Sequence, residues 1–203
     1  MEAGGVRLPG TLALPAEPCS VVVFAHGSDS SRHSPRNVAV ARSLNERSLA
    51  TLLFDLLTPE EASDRANVFD IPLLGARLAG GASWLSAHGV DLPVGYFGAS
   101  TGGGAALWAA TERTATPPFA VVSRGGRPDL AGDRLALVRT PTLLVVGGAD
   151  PVVLELNRDA AAQMSCEVEL IVVPGATHLF EEPGALEEVA RLAGDWFERH
   201  LAA

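Results

Sequence analysis

The chain has 203 residues, 47% of them hydrophobic, which is enough for one domain with a substantial core and leaves little for a second. Its formal net charge is −9 with no run of Lys or Arg, so nucleic acid is not expected as a partner. The N-terminal MEAGGVRLPG has neither a basic n-region nor an apolar h-region, and no window reaches the ~18 apolar residues of a membrane span. We expect a cytoplasmic, soluble single domain over residues 1–203, a monomer or homodimer, with a small-molecule substrate and no membrane partner.

In chain order, Val6 to Leu14 alternates around Pro9 and Gly10 and reads as an edge hairpin or strand. Ser20 to Ala25 is a continuous apolar run, as in strands covered on both faces, and it ends at His26-Gly27-Ser28. Ser34-Pro35 is a helix start with serine as N-cap and proline at the first helical position, and the helix runs to about Arg47. Leu49 to Phe54 is the next buried strand. Leu56 to Val68 is polar and acidic with no clear period, and reads as an excursion beyond that strand's end. Asp70 and Pro72 open a helix to about Ala87, with Gly75, Gly80 and Gly81 weakening its middle.

Val94 to Phe97 suits a buried strand, and Gly98 to Gly104 is too rich in small residues to continue it. Ala105 to Ala110 then reads as a helix. Inside the turn, Gly98-Ala99-Ser100-Thr101-Gly102 fits G-x-S-x-G, in which a serine sits at the apex of a strand-to-helix reversal. The two glycines face each other across the reversal, where a side chain would push strand and helix apart. The following helix N-terminus presents free N–H groups beside the serine, which favours an oxyanion there.

Phe119 to Ser123 is a short strand ending in Arg124-Gly125-Gly126-Arg127, and Asp129 to Val138 a short helix. Thr142 to Val146 is a buried strand running into Gly147-Gly148-Ala149-Asp150. A helix over Val152 to Met164, a strand over Val168 to Val173, a loop from Pro174 to Phe180 and an amphipathic helix from Gly184 to Leu201 complete the chain. The alternation implies an α/β fold, a doubly wound, mostly parallel sheet flanked by helices, with functional residues at the carboxyl ends of strands.

Three of those strand ends carry Ser100, Asp150 and His178 in that order. A serine hydroxyl is a weak nucleophile at neutral pH; it needs an imidazole to take its proton and a carboxylate to orient that imidazole. Taken singly, Asp150 before Pro151 reads as a helix cap and His178 as an ordinary histidine. Together they fall on strand ends that a parallel sheet brings side by side.

Four motifs in order, His26-Gly27, Gly98-Ala99-Ser100-Thr101-Gly102, Gly147-Gly148-Ala149-Asp150 and Gly175-Ala176-Thr177-His178, make the chain resemble the α/β-hydrolase fold from Val21 to Leu201, and within it the small, lidless dienelactone-hydrolase-like branch. The resemblance implies Ser100 as nucleophile, His178 as general base and acid, Asp150 as its orienting carboxylate, and the backbone N–H groups of Ser28 and Thr101 as oxyanion hole. Dienelactone hydrolases proper use a cysteine nucleophile, so the resemblance does not carry over the dienelactone substrate.

His26 is expected to shape the oxyanion loop, and Asp55 and Asp129 are the fallback carboxylates. Arg124, with Arg32 and Arg36 beside the oxyanion loop, either engages an anionic or polar substrate or, by pairing with Asp129 or Asp150, braces loops. Trp84, Trp108 and Trp196 are expected to pack on the sheet, and Cys19 and Cys166 to be reduced, half-buried fillers. Scattered histidines and the absence of paired Cys/His spacing give no reason to expect a metal or other cofactor. The leading function is a serine hydrolase acting on a small acyl substrate such as an ester or lactone. The alternatives are an acyltransferase and a non-catalytic binding module on the same fold.

Overall fold

The computed structural model describes residues 1–114 and 116–201. The N-terminus forms a small ribbon, β1 (Glu2–Ala3) against β2 (Val6–Arg7), followed by β3 (Gly10–Ala13). Next come β4 (Ser20–Ala25), α1 (Pro35–Glu46) and β5 (Leu49–Phe54). The segment read as an irregular excursion contains two short helices, α2 (Pro59–Ala62) and α3 (Arg65–Val68). Each is one turn held by its own cap. Thr58 and Glu61 form a reciprocal capping box around Pro59, and Asp64 accepts from the Ala66 N–H. The chain continues through α4 (Ile71–Ala87), β6 (Val94–Ala99), α5 (Thr101–Ala109) and β7 (Ala120–Arg124). A 3-10 segment (Pro128–Leu137) kinked at Gly132, β8 (Thr142–Gly147), α6 (Pro151–Gln163), β9 (Val168–Val173) and α7 (Ala185–Leu201) follow.

Seven strands form one sheet in the order β3-β5-β4-β6-β7-β8-β9, with β3 antiparallel to β5 and the rest parallel. Every residue of β4 to β8 is buried, which is why these strands read as mostly apolar runs instead of alternating ones. One core lies between the sheet and α4 and α5, around Leu74, Leu78, Tyr96 and Leu107. The other lies under α1 and α7, around Phe24, Leu44, Phe97, Trp196 and Phe197. Each such side chain contributes roughly 1.5–3 kcal/mol by leaving water.

The three glycines of α4 do not interrupt it because they sit where other groups approach closely. Trp108 lies against Gly75, Ala3 against Gly80 and Phe54 against Gly81. Trp196 is in the core as expected, whereas Trp84 and Trp108 are half-buried, Trp84 stacked on His88 and Trp108 under Arg134. Cys19 is exposed, a correction to its reading as a half-buried filler; Cys166 is intermediate and also free. No helix among the described residues is long and apolar enough to cross a membrane.

The topology fixes where chemistry can occur. From β4 the chain steps outward to β5, then crosses back to β6 and proceeds the other way. The connections leaving β4 and β6 therefore diverge, opening a crevice at the carboxyl ends of those two strands. His26-Gly27-Ser28 leaves β4 there, and Ser100 leaves β6.

Candidate active site

Ser100 joins β6 to α5 at φ 53° and ψ −122°, a conformation that costs a residue with a Cβ on the order of 1–3 kcal/mol and persists only when its surroundings impose it. They do. Its N–H donates to the Arg124 carbonyl (3.2 Å), and its own carbonyl accepts from the N–H groups of Gly103 (2.9 Å) and Arg127 (3.0 Å). The flanking glycines allow the close approach: a Cβ on Gly98 would lie 2.6 Å from the Gly102 carbonyl carbon, and one on Gly102 would lie 2.8 Å from the His26 oxygen.

Asp150 follows β8 and caps α6, its Oδ1 accepting from the Val153 N–H at 3.4 Å. Its Oδ2 accepts from His178 Nδ1 at 2.8 Å. Two backbone bonds stitch the loops that carry this pair, from the N–H of Gly148 to the Val173 carbonyl and from that of Ala149 to the Ala176 carbonyl, both 2.9 Å. Since Asp150 can only accept, Nδ1 of His178 carries the proton and Nε2 is free to accept from Ser100 Oγ, 3.3 Å away. The His178 side chain is 37% exposed and that of Asp150 only 16%, so the imidazole meets the cleft while the carboxylate is shielded behind it.

Gly27 packs on the serine, an added Cβ lying 3.2 Å from Ser100 Cβ. Among the described residues, neither the Ser28 nor the Thr101 N–H donates a hydrogen bond, and Thr101, as the first residue of α5, has no acceptor within its helix. Behind this loop, His26 Nε2 accepts from the Leu56 N–H (3.1 Å), which leaves Nδ1–H to donate to the Gly27 carbonyl (2.9 Å). Burial holds His26 below the usual histidine range, so it stays a neutral clamp between the β4 and β5 exits. Such an array can take a proton from a hydroxyl, hold an imidazolium, and stabilise negative charge on an oxygen.

No family model matches the sequence. Two Mycobacterium tuberculosis proteins, both provisionally named phosphoribosyl transferases, are 61% identical over 201 residues. The match covers 98% of this chain but 45% of each of them, so the chain spans about half the length of the curated relatives it matches. A crystal structure of dienelactone hydrolase from Anabaena variabilis aligns at 53% identity and TM-score 0.93, over 98% of this chain and 94% of that one. The chain belongs to the dienelactone hydrolase family. The resemblance drawn from the four motifs and the fold drawn from the strand-helix alternation are thereby borne out. Est1E from Butyrivibrio proteoclasticus, solved with ferulic acid bound, shares the fold at 18% identity (TM-score 0.82, covering 100% of this chain and 98% of that one). So does an α/β serine hydrolase without lid from Xanthomonas campestris, at 21% identity (TM-score 0.78, 97% and 90%). Among its described residues, this dienelactone hydrolase family member has only the 3-10 segment Pro128–Leu137 between β7 and β8, and no substantial lid.

Two clefts flank the Gly27-Ser28 loop of this family member. One, of about 290 Å³, is lined by Ser28, Ser34, Arg36, Asn37, Ser100, Arg124 and His178. The other, of about 330 Å³, is mostly apolar and lies between the Gly27-Ser28 loop and α2 and α3, with Leu56, Leu57, Ala62, Val68 and Leu74 in its walls. The structure thus separates the two arginines that the sequence put forward for substrate contact. Arg32 is held by Asp55, which takes both its backbone N–H (2.7 Å) and its guanidinium, on the far side of the loop from Ser100. That ion pair braces the loop, and it leaves Arg32 lining the apolar cleft and not the one that contains Ser100. Asp129 is likewise engaged, chelating Arg127 through two bonds of 2.8 and 2.7 Å, and neither fallback carboxylate reaches His178.

Arg124 is different. It ends β7 in register with Ala99 and lines the Ser100 cleft, and it pairs with neither Asp129 nor Asp150. Asn37, which the sequence reading missed, is its one hydrogen-bond acceptor among the described residues (3.3 Å). The signal was available: Asn37 is a polar residue on the same buried face of α1 as Val40, Ala41 and Leu44.

Proposed function

We propose that the protein is a serine hydrolase that cleaves an ester, lactone or related acyl bond of a small substrate through an acyl-enzyme on Ser100. The observation that carries this reading is the continuous path Asp150 Oδ2···His178 Nδ1 (2.8 Å), His178 Nε2···Ser100 Oγ (3.3 Å), ending on a serine held at φ 53°. In acylation, the Ser100 proton passes to His178 Nε2 as Oγ bonds to the acyl carbon. The carbonyl electron pair moves onto oxygen, where the N–H groups of Ser28 and Thr101 receive it. Collapse of this intermediate breaks the bond to the leaving oxygen, which takes the proton from His178. In the second half, water gives a proton to the same nitrogen and attacks the acyl carbon, releasing the acid and restoring the Ser100 hydroxyl.

The provisional phosphoribosyl transferase name is that of the longer mycobacterial proteins, and we do not transfer it to this chain. The apolar cleft of about 330 Å³ across the Gly27-Ser28 loop from Ser100, bordered by α2 and α3, supports a short or compact apolar group and no long chain. With p-nitrophenyl esters from acetyl to palmitoyl, kcat/KM is expected to peak at short acyl lengths and to fall beyond them. A steady rise to long chains would contradict the small-substrate reading, and no turnover of any ester in the series would contradict the hydrolase reading.

A further inference from the structure

Asn157 is a fully buried polar side chain on α6, and no step of the proposed chemistry uses it. The buried face it shares with Val153 and Ala160 is otherwise apolar, so an amide there must be matched by hydrogen bonds. Its nitrogen is matched twice. One Nδ2–H donates to the Val153 carbonyl one turn back at 2.8 Å, and the other crosses to the Gly126 carbonyl, 31 residues earlier, at 2.9 Å. Both partners are carbonyl oxygens, which only the nitrogen of the amide can serve. Oδ1 has no partner among the described residues, so this amide gives up stability while linking two elements.

Both ends of the link reach the reacting groups. Gly126 and Arg127 share one peptide unit, whose carbonyl accepts from Asn157 and whose N–H donates to the Ser100 carbonyl at 3.0 Å. Because that unit is planar, holding its oxygen fixes the direction of its N–H. On the helix side, Val153 accepts from Asn157 through its carbonyl and donates its own N–H to Asp150 Oδ1 at 3.4 Å. Gly125, at φ 50°, lies against His178: a Cβ there would be 3.1 Å from the His178 carbonyl oxygen and 3.6 Å from Nδ1. The stretch 125–127 thus touches both the elbow and the imidazole loop, and Asn157 ties it to the helix that Asp150 caps.

We infer that Asn157 is a positioning residue of the proposed hydrolase: by clamping the Gly126-Arg127 peptide to α6, it sets the separation between Ser100 and the Asp150–His178 pair. This rests on the hydrolase reading for the effect on turnover, but not for the effect on the elbow. Ser100 is held at φ 53° by main-chain bonds, one of which the Arg127 N–H supplies. Its Oγ already stands 3.3 Å from His178 Nε2, so a small retreat of the elbow breaks that contact. A displacement of about 1 Å caused by a change away from the chemistry can cost about 100-fold in rate.

Three variants test this. Asn157→Ser keeps a hydroxyl able to bond the Val153 carbonyl, as serine does within helices, but is too short to reach Gly126. Asn157→Leu has a similar branched shape and no donor. Ala160→Gly weakens the same helix on the same buried face without touching the link. With p-nitrophenyl acetate, well below the Tm of each protein, both Asn157 variants should lose kcat/KM roughly 10- to 100-fold, and Ala160→Gly should keep it. Asn157→Ser, the milder change, carries the test if Asn157→Leu does not fold. Amide hydrogen exchange followed by NMR reads the elbow without a substrate. The Arg127 N–H should exchange roughly 10- to 100-fold faster in Asn157→Ser than in wild type, while the β6 amides of Tyr96 and Phe97 keep their protection. Losses of activity no larger than that of Ala160→Gly, or faster exchange that spreads through β6 as well, would make Asn157 a merely structural residue and overturn the proposal. An Arg127 N–H loosened selectively, in a protein whose wild type hydrolyses no ester, leaves the clamp standing and removes the hydrolase reading. Ester turnover that all three variants retain does the reverse.

Discussion

Replacing Ser100 by alanine is expected to lower kcat/KM for a simple p-nitrophenyl ester by on the order of a millionfold, while the thermal midpoint stays within a few degrees of wild type. The two halves of this expectation have separate causes. Activity should vanish because, in the proposed mechanism, Oγ is the atom that bonds to the acyl carbon, and the remaining amides of Ser28 and Thr101 could polarise a carbonyl but not attack it. Stability should hold because the only hydrogen bond of the hydroxyl among the described residues is the 3.3 Å approach to His178 at the cleft surface. The elbow itself is held by the main chain of Ser100 and by Gly98 and Gly102, none of which the substitution alters. Initial rates and a thermal melt on the same preparation check both halves. A variant with most of its activity would move the nucleophile elsewhere.

The second large effect is expected at Asp150. Asp150→Asn should lower kcat by on the order of ten-thousandfold with KM little changed, because an amide can neither fix the Nδ1–H tautomer of His178 nor balance the imidazolium. Asparagine is as good an N-cap as aspartate, so the bond to the Val153 N–H and the start of α6 should survive. The substitution therefore separates orientation of His178 from support of the helix. Asp55→Asn and Asp129→Asn are the controls. Their carboxylates hold Arg32 and Arg127, so their effects should fall on stability far more than on kcat. Steady-state kinetics on the three variants decides, and a larger kcat loss at either control would place the orienting acid on another strand.

Most of the strand framework was readable because it obeys one rule throughout. SVVVFA and LATLLF are apolar at every position but Ser20 and Thr51 since helices cover both faces, and their boundaries in the structure match those in the sequence. The reversal at Ser100 was equally legible, because close approach of β6, α5 and the β4 exit leaves room only for glycine at 98 and 102. What escaped reading was short-range and polar. The Leu56 to Val68 segment has too few residues per helix for a period to show, yet Thr58-Pro59-Glu60-Glu61 is a capping box and would have located α2. Arg32 and Arg124 are alike as letters in a sequence; only the sheet order reveals that Asp55 meets one while the other ends its strand with no acid opposite. Asn37 became meaningful only once the structure set its side chain against the guanidinium of Arg124.

The central claim, that Ser100 is the acylated nucleophile, is tested most directly by a fluorophosphonate probe followed by peptide mass spectrometry. Wild-type protein should gain a single adduct on the peptide containing Ser100, more slowly in His178→Ala and not at all in Ser100→Ala. A wild-type protein that stays unlabelled, or that carries its adduct on another residue, would contradict the account.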